Sequence, residues 1–179
     1  MKLLTTLMVV MLSSLAGVAQ ETLTEPEFAE VFFRLDAGKL VSLERQTASI
    51  QGGGGGFMIA TAKAAYVVSG DKSPVRFHSG QALDFVVRNA LASTTVDPST
   101  VYVLRRMSSK KKSREIVFAS GHFSPLGGSM KTNLAQGSLP VVFTRYGGSS
   151  IKVTTGALPP GEYALSRASA LDIFCFGVD

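Results

Sequence analysis

The sequence predicts an all-β fold of the sandwich type, and two observations lead to this class. Short stretches show the period-two alternation of half-buried strands, for example at Leu83, Phe85 and Val87. Clusters of glycine, proline, serine and aspartate separate these stretches at spacings of roughly ten residues, as in all-β sandwiches. We therefore expect residues 20–179 to form a single β-sandwich domain.

The individual strands are placed from the same alternation. Candidate strands cover 33–35, 40–43, 75–78, 83–88, 101–106, 115–119, 141–146, 151–154, 162–165 and 172–178. Between the first two, Asp36-Ala37-Gly38 predicts a tight hairpin turn in which glycine supplies a positive φ. A helix-capping pattern occurs at 24–31, where Glu27 follows Thr24 by three residues, and it predicts one short helical turn.

The first 19 residues have the three parts of a secretory signal peptide. Lys2 supplies the positive charge, an apolar stretch runs from Leu3 to Leu15, and small residues precede a cleavage site before Gln20. The alternative is a membrane anchor, but the stretch is shorter than the roughly 20 apolar residues that a spanning helix needs. We expect an exported chain, periplasmic or extracellular, with no transmembrane segment after cleavage.

Cys175 is the one cysteine of the chain, so no intramolecular disulfide can form. Residues 20–179 are numerous enough to bury a core without such a crosslink. An exported protein without disulfides or N-x-S/T sites fits a bacterial source better than a eukaryotic one. Between Phe174 and Phe176, the thiol of Cys175 is interpreted as a small buried hydrophobic group rather than as a nucleophile.

The motif LPPGEYAL, Leu158–Leu165, resembles the turn that opens a late strand in immunoglobulin-like and related Greek-key β-sandwiches. The resemblance implies that the Tyr163 hydroxyl bonds back to the backbone near the turn. It also implies that 172–178 forms the final strand, paired with the strand of Tyr163. An antibody-type domain is excluded, because the sequence has no tryptophan and no pair of cysteines. The chain is also similar to uncharacterised secreted bacterial proteins of this fold, which implies no activity.

A run of five glycines, Gly52–Gly56, is the most unusual stretch. A phosphate-binding loop would need a lysine and a serine or threonine at the start of a helix, and neither follows Gly56. A linker between domains would need a domain of about 50 residues or more before it, and too few precede. The composition therefore predicts a flexible surface loop over 51–56.

The run RRMSSKKKSR at 105–114 holds six cations and no acid, and it is predicted to lie at the tip of a hairpin. Its cations are Arg105, Arg106, Lys110, Lys111, Lys112 and Arg114. One interpretation is a solvated tip that discourages edge pairing. The other is a binding site for an anionic surface, such as lipid head groups, lipopolysaccharide or an acidic polysaccharide. Nucleic acid is disfavoured, because the run lacks stacking aromatics and the chain is predicted to be exported.

Signals for catalysis are weak. His78 points outward from a predicted strand, His122 falls in a loop-like segment, and neither has a metal-ligand spacing. No G-x-S-x-G motif occurs, and the S-x-x-K match at 108–111 falls on the hairpin tip. The sequence predicts a non-catalytic protein without cofactor or metal that binds another envelope or secreted protein. The alternatives are a polyanion- or carbohydrate-binding module and a small enzyme with a loop-built site.

Overall fold

The computed structural model describes residues 23–55, 60–90, 96–124, 126–132 and 137–179. They form an all-β fold of curled antiparallel sheets, and the predicted fold class is confirmed at this level. The predicted signal peptide over 1–19 lies outside the described residues. Within the described residues, no helix has the length and apolar character needed to cross a membrane.

The described residues form fifteen strands and one short helix. In chain order they are β1 Phe32–Asp36, β2 Lys39–Ser42, β3 Glu44–Thr47, β4 Ser49–Gly55, β5 Ala60–Ser69, β6 Arg76–Phe77, β7 Asp84–Arg88, α1 Pro98–Val101, β8 Tyr102–Ser109, β9 Ser113–Ser124, β10 Gly127–Thr132, β11 Ser138–Leu139, β12 Val141–Tyr146, β13 Ser150–Thr155, β14 Gly161–Arg167 and β15 Asp172–Val178.

The strands belong to two sheets. The smaller sheet has the order β12-β13-β7-β1-β2. The larger sheet has the order β3-β15-β14-β8-β9-β5-β4, with β10 beside β9, β11 beside β8 and β6 beside β15. All pairings are antiparallel except that of β6 with β15.

The main core lies between the two sheets. Phe85 from the smaller sheet contacts Phe176 from the larger one, with ring centroids 4.9 Å apart. Tyr163 stacks on Phe176 from β14 at 5.6 Å, and all three rings are fully buried. Because aromatic side chains bury large apolar areas, this cluster holds the sheets together.

A second core lies on the other face of the larger sheet. Tyr66 from β5 and Ile116 from β9 belong to one buried cluster with Ala164 and Cys175 from β14 and β15. The sheet therefore curls until β5 and β9 cover the face of β14 and β15 that points away from the smaller sheet. Gln46 on β3, at one end of the sheet, bonds Ser69 on β5, next to the other end, through two hydrogen bonds of 3.0 and 3.1 Å.

Two local predictions are confirmed. The Tyr163 hydroxyl donates a hydrogen bond of 2.6 Å to the carbonyl of Pro159, and β14 pairs with β15 as the resemblance implied. The turn between β1 and β2 has φ of 46° at Ala37 and 79° at Gly38. Positive φ at both central residues is the turn geometry that matches the twist of a two-residue hairpin.

The predicted helical turn at 24–31 is wrong. No helix occurs at 24–31, and Glu25 instead binds the turn before β13. Its carboxylate accepts hydrogen bonds from the Ser150 hydroxyl at 2.6 Å and from the Gly148 amide at 2.7 Å. These bonds lower the pKa of Glu25 to about 2 against the opposing effect of burial. The donors lie 125 and 123 residues away in the sequence, so this contact is not a helix cap.

Candidate binding site

Four neighbouring strands, β4, β5, β9 and β10, form what we call the arm. β5 pairs with β9 along its whole length, and β4 pairs with β5 over Ser49–Gly55. The first part of β9 pairs with β8, and the part from Ala119 to Ser124 pairs with β10. His122, predicted in a loop, therefore lies within β9. β10 is exposed throughout, whereas β5 and β9 contribute Tyr66 and Ile116 to the second core.

The glycine run does not form the predicted loop. Gln51–Gly55 belong to β4, and Gly56 lies outside the described residues. Gly53 pairs with Lys63, and Gly55 pairs with Thr61. β4 ends the order of the larger sheet, and no described strand pairs with its other side. Every second backbone N–H and C=O of β4 therefore points away from β5 and faces outward.

The edge at β4 differs from the other long edge strands that the structure describes. Edge strands are usually protected by a charge or a proline, because their unpaired backbone groups attract other strands. β2 carries Lys39, β3 carries Arg45, β10 carries Lys131 and β12 carries Arg145. Over Ser49–Gly55, β4 has neither a charge nor a proline.

At Gly52 and Gly53 a larger residue would fit, because neither the backbone conformation nor the surrounding space requires glycine there. Gly52 and Gly53 do not have the left-handed φ that favours glycine. A Cβ at Gly53 would meet nothing within 4 Å, and one at Gly52 would meet only the Lys63 carbonyl at 4.0 Å. At Gly54, by contrast, a Cβ would lie 3.1 Å from the Thr61 carbonyl. The first two glycines leave an open backbone surface.

A groove of about 480 Å³ lies on one face of the arm. Its floor includes Gln51, Gly53 and Thr61, and its cations are Lys63 and Lys110. Lys110 lies 3.2 Å from the carboxylate of Glu115, which also lines the groove. Among the described residues, Lys63 has no ion-pair partner. The groove is therefore bordered by a glycine edge on one side and carries an uncompensated cation beside it.

The structure separates the cations of the run at 105–114. The predicted hairpin is present, because β8 and β9 flank a turn at 110–112. Lys110, Lys111 and Lys112 are exposed on this turn. Arg106 is also exposed, and it donates a hydrogen bond of 3.0 Å to the Pro160 carbonyl.

Arg105 and Arg114 are buried, with 2% and 0% exposure, so neither is accessible to a ligand at the surface. Arg105 donates to the Ser166 hydroxyl at 3.4 Å and to the Ala168 carbonyl at 3.3 Å. Arg114 forms a bidentate pair with Glu44, with distances of 2.8 and 2.9 Å. The exposed part of the predicted site is therefore Arg106 and the three lysines of the turn.

Arg114 belongs to a chain of alternating charges that begins inside the curl and ends at the exposed Asp179. It lies 3.6 Å from Glu162, which is ion-paired with Arg76, and Arg76 is ion-paired with Asp179. Burial opposes ionisation of Glu44, but hydrogen bonds from Arg114 and two polar neighbours outweigh it and lower its pKa. Because each buried charge has an opposite neighbour, removing one partner would leave an uncompensated charge inside the curl.

The groups considered for catalysis do not come together in the structure. Cys175 is fully buried, and burial beside Glu44 and Glu162 raises its pKa to about 12, despite the opposing charge of Arg114. His78 and His122 are exposed on different strands and loops. In the described ranges, no three histidine, cysteine or acidic side chains are placed to hold a metal ion.

A second cavity of about 530 Å³ lies beside β15 and contains charges that are already paired. Arg45 bonds Asp172 at 2.8 Å, and Arg167 lies 3.7 Å from Glu30. The Tyr102 hydroxyl donates to Glu30 at 3.1 Å, and burial together with this carboxylate raises the pKa of Tyr102. Since its charges compensate each other, this cavity offers a weaker site for a charged ligand than the groove of the arm.

No family model, curated protein or solved structure matches this chain. Of the surfaces described here, the β4 edge with its adjoining groove combines unpaired backbone groups, open space and an uncompensated cation.

Proposed function

We propose that this protein is a non-catalytic binding module that pairs the free edge of β4 with an extended segment of a partner protein. The observation that carries the proposal is the bare backbone at Gly52 and Gly53. Glycine in a strand weakens it by roughly 0.5–1 kcal/mol per residue relative to alanine. Such glycines mark positions where another backbone or a ligand approaches closely. Apart from the chain neighbours, no described atom lies closer than 4.0 Å to the Cβ position of Gly52 or Gly53, so we assign the approaching group to a partner.

Strand addition to a sheet edge supplies affinity through main-chain hydrogen bonds. The absence of charge and proline on β4 leaves these groups accessible, whereas the other long edges are protected. We propose further that the fold is an immunoglobulin-like or related Greek-key β-sandwich. The export signal expected over 1–19 supports a partner in the cell envelope or among secreted proteins.

The proposal is tested with synthetic ten-residue peptides that alternate threonine with glutamine or glutamate. We expect such a peptide to slow hydrogen exchange at alternate amides of β4, measured by NMR, because alternate N–H groups become bonded. Two versions N-methylated at opposite alternate positions provide the control. One version should lose binding and the other should retain it, since only every second N–H of an added strand faces β4.

Equal binding by both methylated versions would contradict strand addition, because contact through side chains alone does not depend on the peptide N–H groups. The same amides could also be protected without peptide, to a degree that increases with protein concentration. A second copy of the chain would then occupy the edge, and the proposal would be wrong. If no peptide protects the amides of β4 from exchange, the proposal is also wrong.

A second candidate function is binding of an acidic polysaccharide, which the exposed turn at 110–112 supports. Lys110 lines the groove, and Lys111 and Lys112 follow it on the exposed turn, so an acidic chain bound in the groove could contact all three. Changing Lys110, Lys111 and Lys112 together to glutamine should weaken binding to heparin at low salt at least thirtyfold. This follows from about 1 kcal/mol per cation near an anionic surface, with Lys110 partly neutralised by Glu115.

The matched control removes three cations from the smaller sheet, Lys39, Arg145 and Lys152, by the same change to glutamine. It should retain binding within about threefold, because those side chains lie on other strands, away from the turn. If heparin binding by the unchanged protein does not weaken between 50 and 500 mM salt, the electrostatic account is wrong. Equal binding to phosphatidylserine vesicles would assign the lysines to a lipid surface instead.

A further inference from the structure

We infer that the segment that pairs with β4 carries acidic side chains at alternate positions, on the side of the groove. This inference rests on the proposed strand addition and specifies the chemistry of the partner. An added strand has two faces, and its alternate side chains point to one or the other. The two faces of the arm beside β4 differ in charge, so they select different side chains.

On the groove face, Lys63 is the neighbour of Gly53 in the register. A residue added opposite Gly53 would lie about 10 Å from the Lys63 backbone, two strand spacings away. Gly53 has no side chain and its Cβ position is open, so nothing separates the two side chains. A glutamate and a lysine can each cover about half of that distance. The register therefore places a carboxylate of the added strand against the uncompensated ammonium of Lys63.

The position of Lys110 favours acidic side chains at a further point along the groove. It lines the groove together with Gln51 and Gly52, and its charge is shared with Glu115. The neighbouring Lys111 and Lys112 are exposed beside it. The net charge along this face is positive, which favours acids at more than one position of the added strand.

The opposite face has a different chemistry. Ile50 pairs with Tyr66, Gly52 with Ala64 and Gly54 with Ala62, so none of the described register partners of β4 on this face is charged. Ile50 is 59% exposed at the edge. A partner strand that alternates acidic residues with small or apolar residues is complementary to both faces. A second copy of β4 has no acid to offer Lys63, so the charge favours a different chain.

The test is a double-mutant cycle that combines two peptides with two proteins. The glutamate peptide should bind two- to fivefold more tightly than the glutamine peptide for each carboxylate that meets a lysine. Lys63→Gln should remove most of this difference without weakening the glutamine peptide. Lys131→Gln is the matched control, since Lys131 lies on the same face of the arm but two strands beyond β5. It should leave the difference unchanged.

A second pair of variants tests whether the acidic contact lies on the groove face of β4 or on the opposite face. Gly53→Glu should weaken the glutamate peptide about tenfold, because it places a like charge and a side chain between the peptide and Lys63. Gly52→Glu places the same side chain on the opposite face and should have less than a threefold effect. Both positions have open space, so both variants are expected to fold.

Peptide binding and protection of β4 distinguish strand addition from acidic specificity. If the glutamine and glutamate peptides bind equally and protect β4, strand addition stands and the acidic specificity is wrong. If neither peptide protects β4, strand addition is wrong and the inference falls with it. An unchanged preference for glutamate in Lys63→Gln would overturn the assignment of Lys63.

Discussion

Replacing Arg114 with methionine is expected to lower the free energy of unfolding by about 3–5 kcal/mol, the range for removing one partner of a buried ion pair. Arg114 is fully buried and neutralises Glu44, at 2.8 Å, and Glu162, at 3.6 Å. Without it, two carboxylates remain in a region of low polarity with one fewer cation between them. Urea unfolding followed by circular dichroism measures the loss.

The pH dependence of that variant supplies a second readout. In the unchanged protein the pKa of Glu44 is lowered, so its contribution to stability is present above the ordinary value of 4.5 and is lost as pH falls through the folded value. In Arg114→Met, burial without the guanidinium should raise the pKa of Glu44 above 4.5. The variant should therefore gain stability, relative to the unchanged protein, as pH falls from 7 towards 5.

The matched control is Lys112→Gln, which removes a cation two residues away on the exposed turn. Its stability should change by less than about 0.5 kcal/mol, as for other surface substitutions. A loss below about 1 kcal/mol in Arg114→Met, with unchanged pH dependence, would show that the buried network contributes little.

Replacing Phe176 with alanine is expected to lower the free energy of unfolding by about 3–5 kcal/mol through the cavity that it leaves. The ring is fully buried and contacts Phe85 at 4.9 Å, Tyr163 at 5.6 Å and Phe77 at 5.7 Å. Because Phe85 belongs to the smaller sheet, the cavity would lie at the junction of both sheets.

Phe28→Ala is the control, because Phe28 is 63% exposed and should lose less than about 0.5 kcal/mol. A single unfolding transition at lower urea concentration is expected for Phe176→Ala, since both sheets depend on the same core. Two separate transitions would show that the sheets unfold independently, and they would contradict the role given to this ring.

The features that could be predicted from the sequence depend on interactions between residues that are close together in the chain. The hairpin turn at Ala37 and Gly38 depends on two neighbouring residues, and its geometry is confirmed. The bond from Tyr163 to the Pro159 carbonyl spans four residues and is also confirmed. The helical turn expected at 24–31 is absent, and Glu25 within that segment instead bonds Gly148 and Ser150, which are distant in sequence.

The glycine run shows why the candidate site could not be located from local sequence patterns. Glycine composition is typical of a flexible loop, and it contains no information on what pairs with the segment. Pairing with β5 turned Gln51–Gly55 into an edge strand and placed Gly53 beside Lys63. Composition does not record that β5 pairs with this segment or that no described strand pairs with its other side, so neither the edge nor its basic groove is visible before the sheet is assembled.

By itself, the sequence determined the all-β class, the two turns and the hairpin around residues 110–112, because alternation and turn chemistry act over a few residues. The tertiary structure alone decided which cations of 105–114 reach solvent. Arg114 and Lys112 are two residues apart in the same basic run, yet one is fully buried and the other is exposed. The difference arises because the larger sheet curls over one face of β9, which buries the residues on that face and leaves the turn outside.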